Sequence, residues 1–227
     1  MPIIFIRNQG EIFVNITSKL MISVLSALAI GGCATSRSTL DIQLPKGQQA
    51  QSNGKQVYIN SVVDKRSFQV SPPNPDIPSL DPSEDQTEQI KARAIGRKRN
   101  GFGKALGDML LKDGETVQSL TDKSIKQAFE EKGYSIINSK DGVTKDTYIV
   151  DANIQKFWAW MNPGFWQITL SSEISTDLTI KSSKGTTNQQ ISVKAADGYQ
   201  VATESNWMEM IQKSIQLYIS DLKSKIN

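Results

Sequence analysis

The chain contains no histidine and one cysteine in 227 residues. Without histidine there is no Ser-His or Cys-His nucleophile pair and no imidazole metal site. A lone cysteine closes no internal disulfide, so stability has to come from the core. Charge of one sign is also scarce: 26 Lys and Arg stand against 23 Asp and Glu, a net +3 that creates no global field. No apolar run reaches the roughly 20 residues that a membrane-crossing helix needs. What remains, 38% apolar and 22% charged residues, is a globular composition.

The longest apolar run is Leu20 to Gly32, 13 residues without a charge, following Lys19 and ending at Cys33. That length suits the central region of an export signal, and a polar stretch follows it. Ile30-Gly31-Gly32-Cys33 resembles the lipobox of bacterial lipoproteins, in which small residues precede a cysteine that receives a diacylglyceryl group and an N-acyl chain. Residues 1 to 32 are therefore expected to be a signal peptide, and Cys33 the lipidated residue. Several acyl chains on one residue anchor stably where a single chain does not. Ala34 is not the aspartate usually associated with inner-membrane retention, which favours the outer membrane with the protein facing the periplasm. The apolar Pro2 to Ile6 and acidic Glu11 are unusual ahead of such a signal and suggest a start codon further downstream.

After the anchor, residues 33 to 55 are expected as a tether, with Leu40, Ile42 and Leu44 alternating as in a short strand. A single domain should follow over 56 to 227. Val57 to Val63 alternates as a first strand, and five prolines between Ser71 and Pro82 predict a long irregular loop spanning 67 to 114. Thr116 to Lys132 has helical apolar spacing with Gly133 as a stop. Tyr134 to Ile137, Tyr148 to Trp160, Trp166 to Ile180 and Gln190 to Ala196 read as strands. Asn206 with Glu209 reads as a capping box opening a helix that runs to Ile226. The expected fold is α+β: a mainly antiparallel sheet of four to five strands, two helices on one face, and a long Pro-rich and basic loop.

Two clusters are candidates for partner binding. The basic stretch Lys91 to Lys104 centres on Arg97, Lys98 and Arg99, with no acid within it, and could grip phosphates or an anionic envelope polymer. Its alternative is a solvated loop. The segment Phe157 to Trp166 holds Trp158, Trp160 and Trp166, which could stack on a partner or plug the core. On the even-numbered spacing, Val150, Ala152, Ile154, Trp158 and Trp160 share a face, and Trp160 and Trp166 are expected as cross-strand neighbours. Asp64, Asp151 and Glu173 are the carboxylates from which a glycosidase pair could be drawn. Asp64 and Arg66 would more simply close a turn.

Val62-Val-Asp-Lys-Arg-Ser-Phe68, Ile77-Pro-Ser-Leu80, Ala94-Ile-Gly-Arg-Lys-Arg-Asn100, Gly103-Lys-Ala-Leu-Gly-Asp108, Phe157-Trp-Ala-Trp160 and Pro163-Gly-Phe-Trp166 together resemble the YajG-type family of uncharacterised Gram-negative envelope lipoproteins. The resemblance spans most of the chain after Cys33. It implies an outer-membrane lipoprotein without assigned catalytic residues.

The expectation is thus a non-catalytic module, held to the membrane by its lipid, that binds an envelope protein complex, lipopolysaccharide or peptidoglycan. It needs no cofactor or metal. Nucleic acid is not expected as a partner of an exported protein. The alternative is a hydrolase of envelope polysaccharide using paired carboxylates.

Overall fold

The computed structural model describes residues 37–100, 102 and 104–226. The expected signal peptide and Cys33 lie outside the described residues. Along the described chain come β1 (Ser38–Leu40), β2 (Gln56–Asp64), α1 (Glu88–Arg93), β3 (Ala94–Arg99), β4 (Ala105–Leu111), α2 (Val117–Glu130), β5 (Ser135–Ile137), β6 (Tyr148–Pro163), β7 (Ile168–Ser182), β8 (Gly185–Tyr199) and α3 (Glu204–Lys225).

The class is α+β, but the sheet has eight strands and there are three helices, in place of four to five strands and two helices. The sheet is also mixed. β3–β4, β6–β7 and β7–β8 are antiparallel, while β1–β4, β2–β5, β2–β6 and β3–β6 are parallel. The extra strands come largely from the stretch expected as one long loop. There the basic run Ala94–Arg99 is β3, and Ala105–Leu111 is β4. Met109, Leu110 and Leu111 are consecutive buried residues because β4 is covered on both faces, which erases the alternation of a half-exposed strand. Residues 37–55 likewise lie on the domain: Leu40 and Ile42 are buried, and Asn53 N–H donates to the Gly133 carbonyl at 3.0 Å.

Both long helices begin with reciprocal caps. Thr116 and Ser119 bond each other's backbone N–H at the start of α2, and Thr203 and Asn206 do so at the start of α3. The box on α3 thus opens one turn earlier than the expected Asn206 and Glu209 pair. Phe129, Trp207, Ile211 and Ile215 from these helices meet Val57, Ile95, Val150 and Ile174 of the sheet in the principal core.

β6 organises the rest. One edge pairs with β7 along its length; the other is divided between β2, opposite Tyr148 to Ile154, and β3, opposite Ala159 and Trp160. Arg66 closes the gap between these partners. Its buried guanidinium donates to the carbonyls of Phe157 at 3.1 Å, Ala94 at 2.5 Å and Lys91 at 2.8 Å, and Asp64 holds it at 2.8 Å. A side chain here does the work of missing ladder bonds.

The register of β6 shifts at Gln155: Ile154 lies opposite Thr176, but Lys156 lies opposite Ser175. One extra residue reverses which parity faces the core. Val150, Ala152 and Ile154 therefore share the helix-covered face with Phe157 and Ala159, while Trp158 and Trp160 turn to the other side. The single even-numbered face expected for this strand is thereby broken. Nor are Trp160 and Trp166 neighbours: Trp160 lies opposite Ser171, and Gly164 to Gln167 form the turn between Pro163 and Ile168.

Candidate functional site

Successive side chains of a strand point to opposite faces, so the basic triplet on β3 is split. Lys98 reaches the side of β1, where its Nζ donates to Ser38 Oγ at 3.0 Å, and burial lowers its pKa. Arg97 and Arg99 turn instead beneath the Pro-rich segment and are only 5% and 6% exposed. Arg97 Nη1 and Arg99 Nη2 both donate to Ser79 Oγ, at 3.2 and 2.9 Å, and Arg99 Nη1 donates to the Pro72 carbonyl at 2.8 Å.

One buried carboxylate serves this group. Gly107, at φ 110, occupies a register shift of the β3–β4 ladder, and Asp108 next to it faces Arg97. A side chain at Gly107 would be strained at that φ. Asp108 accepts from Arg37 Nη2 at 3.1 Å and from Asp81 N–H at 3.0 Å, with Arg97 Nε at 3.9 Å. Burial nevertheless pushes its carboxyl above the usual aspartate range. Arg99 has no carboxylate within ion-pair distance among the described residues, and its buried Nε makes no hydrogen bond. Burial, then the adjacent Arg97, lower its pKa, though a guanidinium stays protonated at any physiological pH.

These two guanidiniums line an open cavity of about 400 Å³ with Lys104, Ser71, Pro72, Asp81, Pro82, Ser83 and Ala105. Three cations face one acid there, and Asp81 is already engaged by the Ser83 N–H and hydroxyl at 3.0 and 2.7 Å. Ser71 sits at the rim with φ 47, a left-handed conformation uncommon outside glycine. Planar donors below and an exposed ammonium at the mouth suit a tetrahedral or planar anion.

The tryptophans divide as the strand does. Trp158 is fully buried: its Nε1 donates to the Pro75 carbonyl at 3.1 Å, and Phe68 meets its ring edge-on at 6.0 Å. Trp160 is 4% exposed, with Lys156 and Lys194 Nζ at 5.4 and 5.1 Å from its ring centre. With Leu80, Ala94 and Leu110 the pair forms a second small core that holds the Pro-rich segment down. Trp166 is 82% exposed.

The carboxylates considered for hydrolysis do not converge. Asp64 is held by Arg66; Asp151 accepts from Asn60, Ser61 and Lys181; Glu173 pairs with Lys156. Asp151 lies opposite Thr179, so Glu173 is about 20 Å away along β7, against the roughly 5–10 Å that glycosidic hydrolysis requires. Among the described residues no group of acids and cysteine is placed to hold a metal, and no helix is long and apolar enough to cross a membrane. A second cavity of about 230 Å³ lies near the start of β6, between Tyr134 and Tyr148. Lys55 Nζ already stands 5.4 and 5.6 Å from those rings.

Sequence reasoning did not single out Ser79, Asp81 or Asp108 as partners of the arginines, nor Phe102 and Phe165 as exposed rings. Ser79 and Asp108 do fall within the segments that carry the YajG-type resemblance. Their pairing with β3 is a long-range contact, for which spacing along the chain offers no signal.

No protein-family model matches the chain, and no curated protein sequence does. Among solved structures, an uncharacterised protein is similar over 85% of this chain and 99% of its own, at 6% identity and a TM-score of 0.45. A protein described as a neuraminyllactose-binding hemagglutinin homolog from Helicobacter pylori covers 83% of this chain and 94% of its own, at 10% identity and a TM-score of 0.33. A hypothetical protein from Chlamydia trachomatis covers 75% of this chain and 97% of its own, at 8% identity and a TM-score of 0.40. Scores this low carry no argument about what this chain does.

Proposed function

We propose that this chain is a lipid-anchored envelope protein, attached through Cys33 to the periplasmic face of the outer membrane, whose domain binds an anionic group of an envelope partner in the cavity of Arg97, Arg99 and Lys104. The observation that carries the reading is Arg99, a buried guanidinium at an open cavity with neither a carboxylate partner nor a bond to its Nε. Burying a cation without a counterion is costly. An incoming phosphate or carboxylate would supply the missing charge, and phosphate-bearing lipopolysaccharide and carboxylate-bearing peptidoglycan both offer one.

The test is titration of the folded protein with inorganic phosphate and then with lipopolysaccharide, at low and high salt. Lys104→Ser removes an exposed ammonium from the rim without touching the buried network. It should weaken binding about tenfold, since hydrogen bonds to charged groups contribute about 1.5–3 kcal/mol and this one is partly exposed. Arg99→Gln should abolish binding. Equal affinity of wild type and Lys104→Ser for every anion would reject the site. The anchor is tested separately: wild type should fractionate with the outer membrane and Cys33→Ala should not.

A further inference from the structure

The β3–β4 and β6–β7 hairpin tips carry the most conspicuous unburied aromatics among the described residues. Phe102, at the β3–β4 turn, is 98% exposed; Phe165 and Trp166, at the β6–β7 turn, are 89% and 82% exposed. β3 and β6 are parallel neighbours, so both turns project from the same end of the sheet. Each tip is built. Asn100 accepts from the N–H groups of Phe102 and Lys104 at 3.0 and 2.9 Å, and Gly164 N–H donates to the Gln167 carbonyl at 2.9 Å. Phe165 and Trp166 meet edge to face at 4.8 Å. Residues 98–107 and 157–172 contain no carboxylate.

The first described strand begins toward that same end. β1 runs parallel to β4, which descends from the β3–β4 tip, so Ser38 is the end of β1 nearer the tips. Ser38 pairs with Met109, Met109 with Gly96, and Gly96 with Ala159. From the level of Ala159 to the last pair of the β6–β7 hairpin at Pro163 is about 13 Å. Cys33 precedes Ser38 by five residues, which span at most about 17 Å fully extended. Arg37 is moreover pinned by Asp108 and Glu84. A lipid on Cys33 would therefore keep the start of β1 within about 17 Å of its membrane, a tether short enough to let tips about 13 Å beyond that level touch the bilayer.

We propose that Phe102, Phe165 and Trp166 dip into the headgroup region of the bilayer to which Cys33 is anchored, fixing the domain with its sheet end-on to the membrane. This rests on the lipid-anchor reading. Phenylalanine and tryptophan are the side chains suited to that depth, and Lys104 beside them suits anionic headgroups. The orientation would also present the cavity of Arg97 and Arg99 to the membrane surface.

The full lipidated chain in vesicles of phosphatidylethanolamine and phosphatidylglycerol, some brominated near the headgroup, reads the proposal out through tryptophan fluorescence. Wild type should show a component quenched by bromine and shielded from aqueous iodide, and Trp166→Phe should lack it. A Trp166 component quenched by iodide and untouched by bromine overturns the proposal; one shielded from both indicates a protein partner and overturns it equally. The mature chain with Cys33→Ala, exported behind a signal that is cleaved without lipidation and so left with no anchor, separates the two readings. It should still partition weakly onto the same vesicles, and Phe102→Ser, Phe165→Ser and Trp166→Ser together should reduce that at least ~100-fold, at roughly tenfold per aromatic partly removed from water. Mass spectrometry of wild type without a lipid defeats the anchor alone, while an anchored protein whose triple variant partitions like its parent defeats the tips alone.

Discussion

Trp158 and Trp166 are eight residues apart in one aromatic segment, and the structure predicts opposite costs for removing them. Trp158→Ala empties a fully buried site beneath the Pro-rich segment and strands the Pro75 carbonyl that accepts from its Nε1 at 3.1 Å. Truncating a buried tryptophan to alanine costs about 3–5 kcal/mol, and a stranded buried acceptor about 1 kcal/mol more. The sum, about 4–6 kcal/mol, is a large part of the 5–15 kcal/mol that holds a typical domain together. Trp166→Ala loses only an exposed edge-to-face contact with Phe165, worth at most about 1 kcal/mol. Urea denaturation of the two variants beside wild type, followed by far-ultraviolet circular dichroism, measures both. With a slope of about 2–3 kcal/mol per molar, Trp158→Ala should lower the midpoint by about 1.5–3 M and Trp166→Ala by less than about 0.5 M. Limited proteolysis of Trp158→Ala should cut first between residues 69 and 87, where the Pro-rich segment has lost its seat. Similar midpoints for the two variants would refute the assignment of Trp158 to a second core and of Trp166 to an exposed tip.

Gly133→Ala should destabilise by more than about 2 kcal/mol in the same assay: Gly133 has φ 82, and a Cβ there would meet the Gln51 carbonyl oxygen at 2.2 Å. Arg66→Met should cost about 3 kcal/mol or more, because the carbonyls of Lys91, Ala94 and Phe157 lose their donor and Asp64 its cation; amide hydrogen exchange should rise first in β3. Asp151 is held below the ordinary aspartate value of 3.8 by hydrogen bonds from Asn60, Ser61 and Lys181. A carboxylate whose folded pKa is depressed stabilises above the unfolded value, and the gain is lost as pH falls through the folded one. Asp151→Asn should therefore be about 1 kcal/mol less stable than wild type at pH 7, with the difference shrinking below about pH 4 in acid titrations of thermal midpoint.

The two long helices were legible because their signals are local, whereas the short α1 lay inside the stretch expected as a loop. Apolar residues three and four apart, Gly133 as a stop and capping side chains within one turn act over a few residues, and α2 and α3 fall where that spacing puts them. β2 and the cores of β6 and β7 were legible for the same reason. β8 extends well beyond its apolar centre, through Thr186 to Gln190, because a strand is held by backbone bonds to its neighbour whatever its side chains. The basic triplet misled most. Arg97 and Arg99 look like surface in sequence, and only the Pro-rich segment arriving from elsewhere in the chain, with Ser79 and the Pro72 carbonyl to meet them, makes burial affordable.

What the sequence by itself determined was composition, the absence of histidine chemistry, the two long helices and the strand cores outside residues 67–114, all of which depend on residue type and short spacing. The tertiary structure decided which face each tryptophan takes, through one unpaired residue at Gln155 that shifts the register of β6. It also decided that Arg97 and Arg99 share a cavity without Lys98, and that Phe102, Phe165 and Trp166 stand at the same end of the sheet. These depend on which strands become neighbours, and that is set by the sum of many distant contacts rather than by any residue near the site.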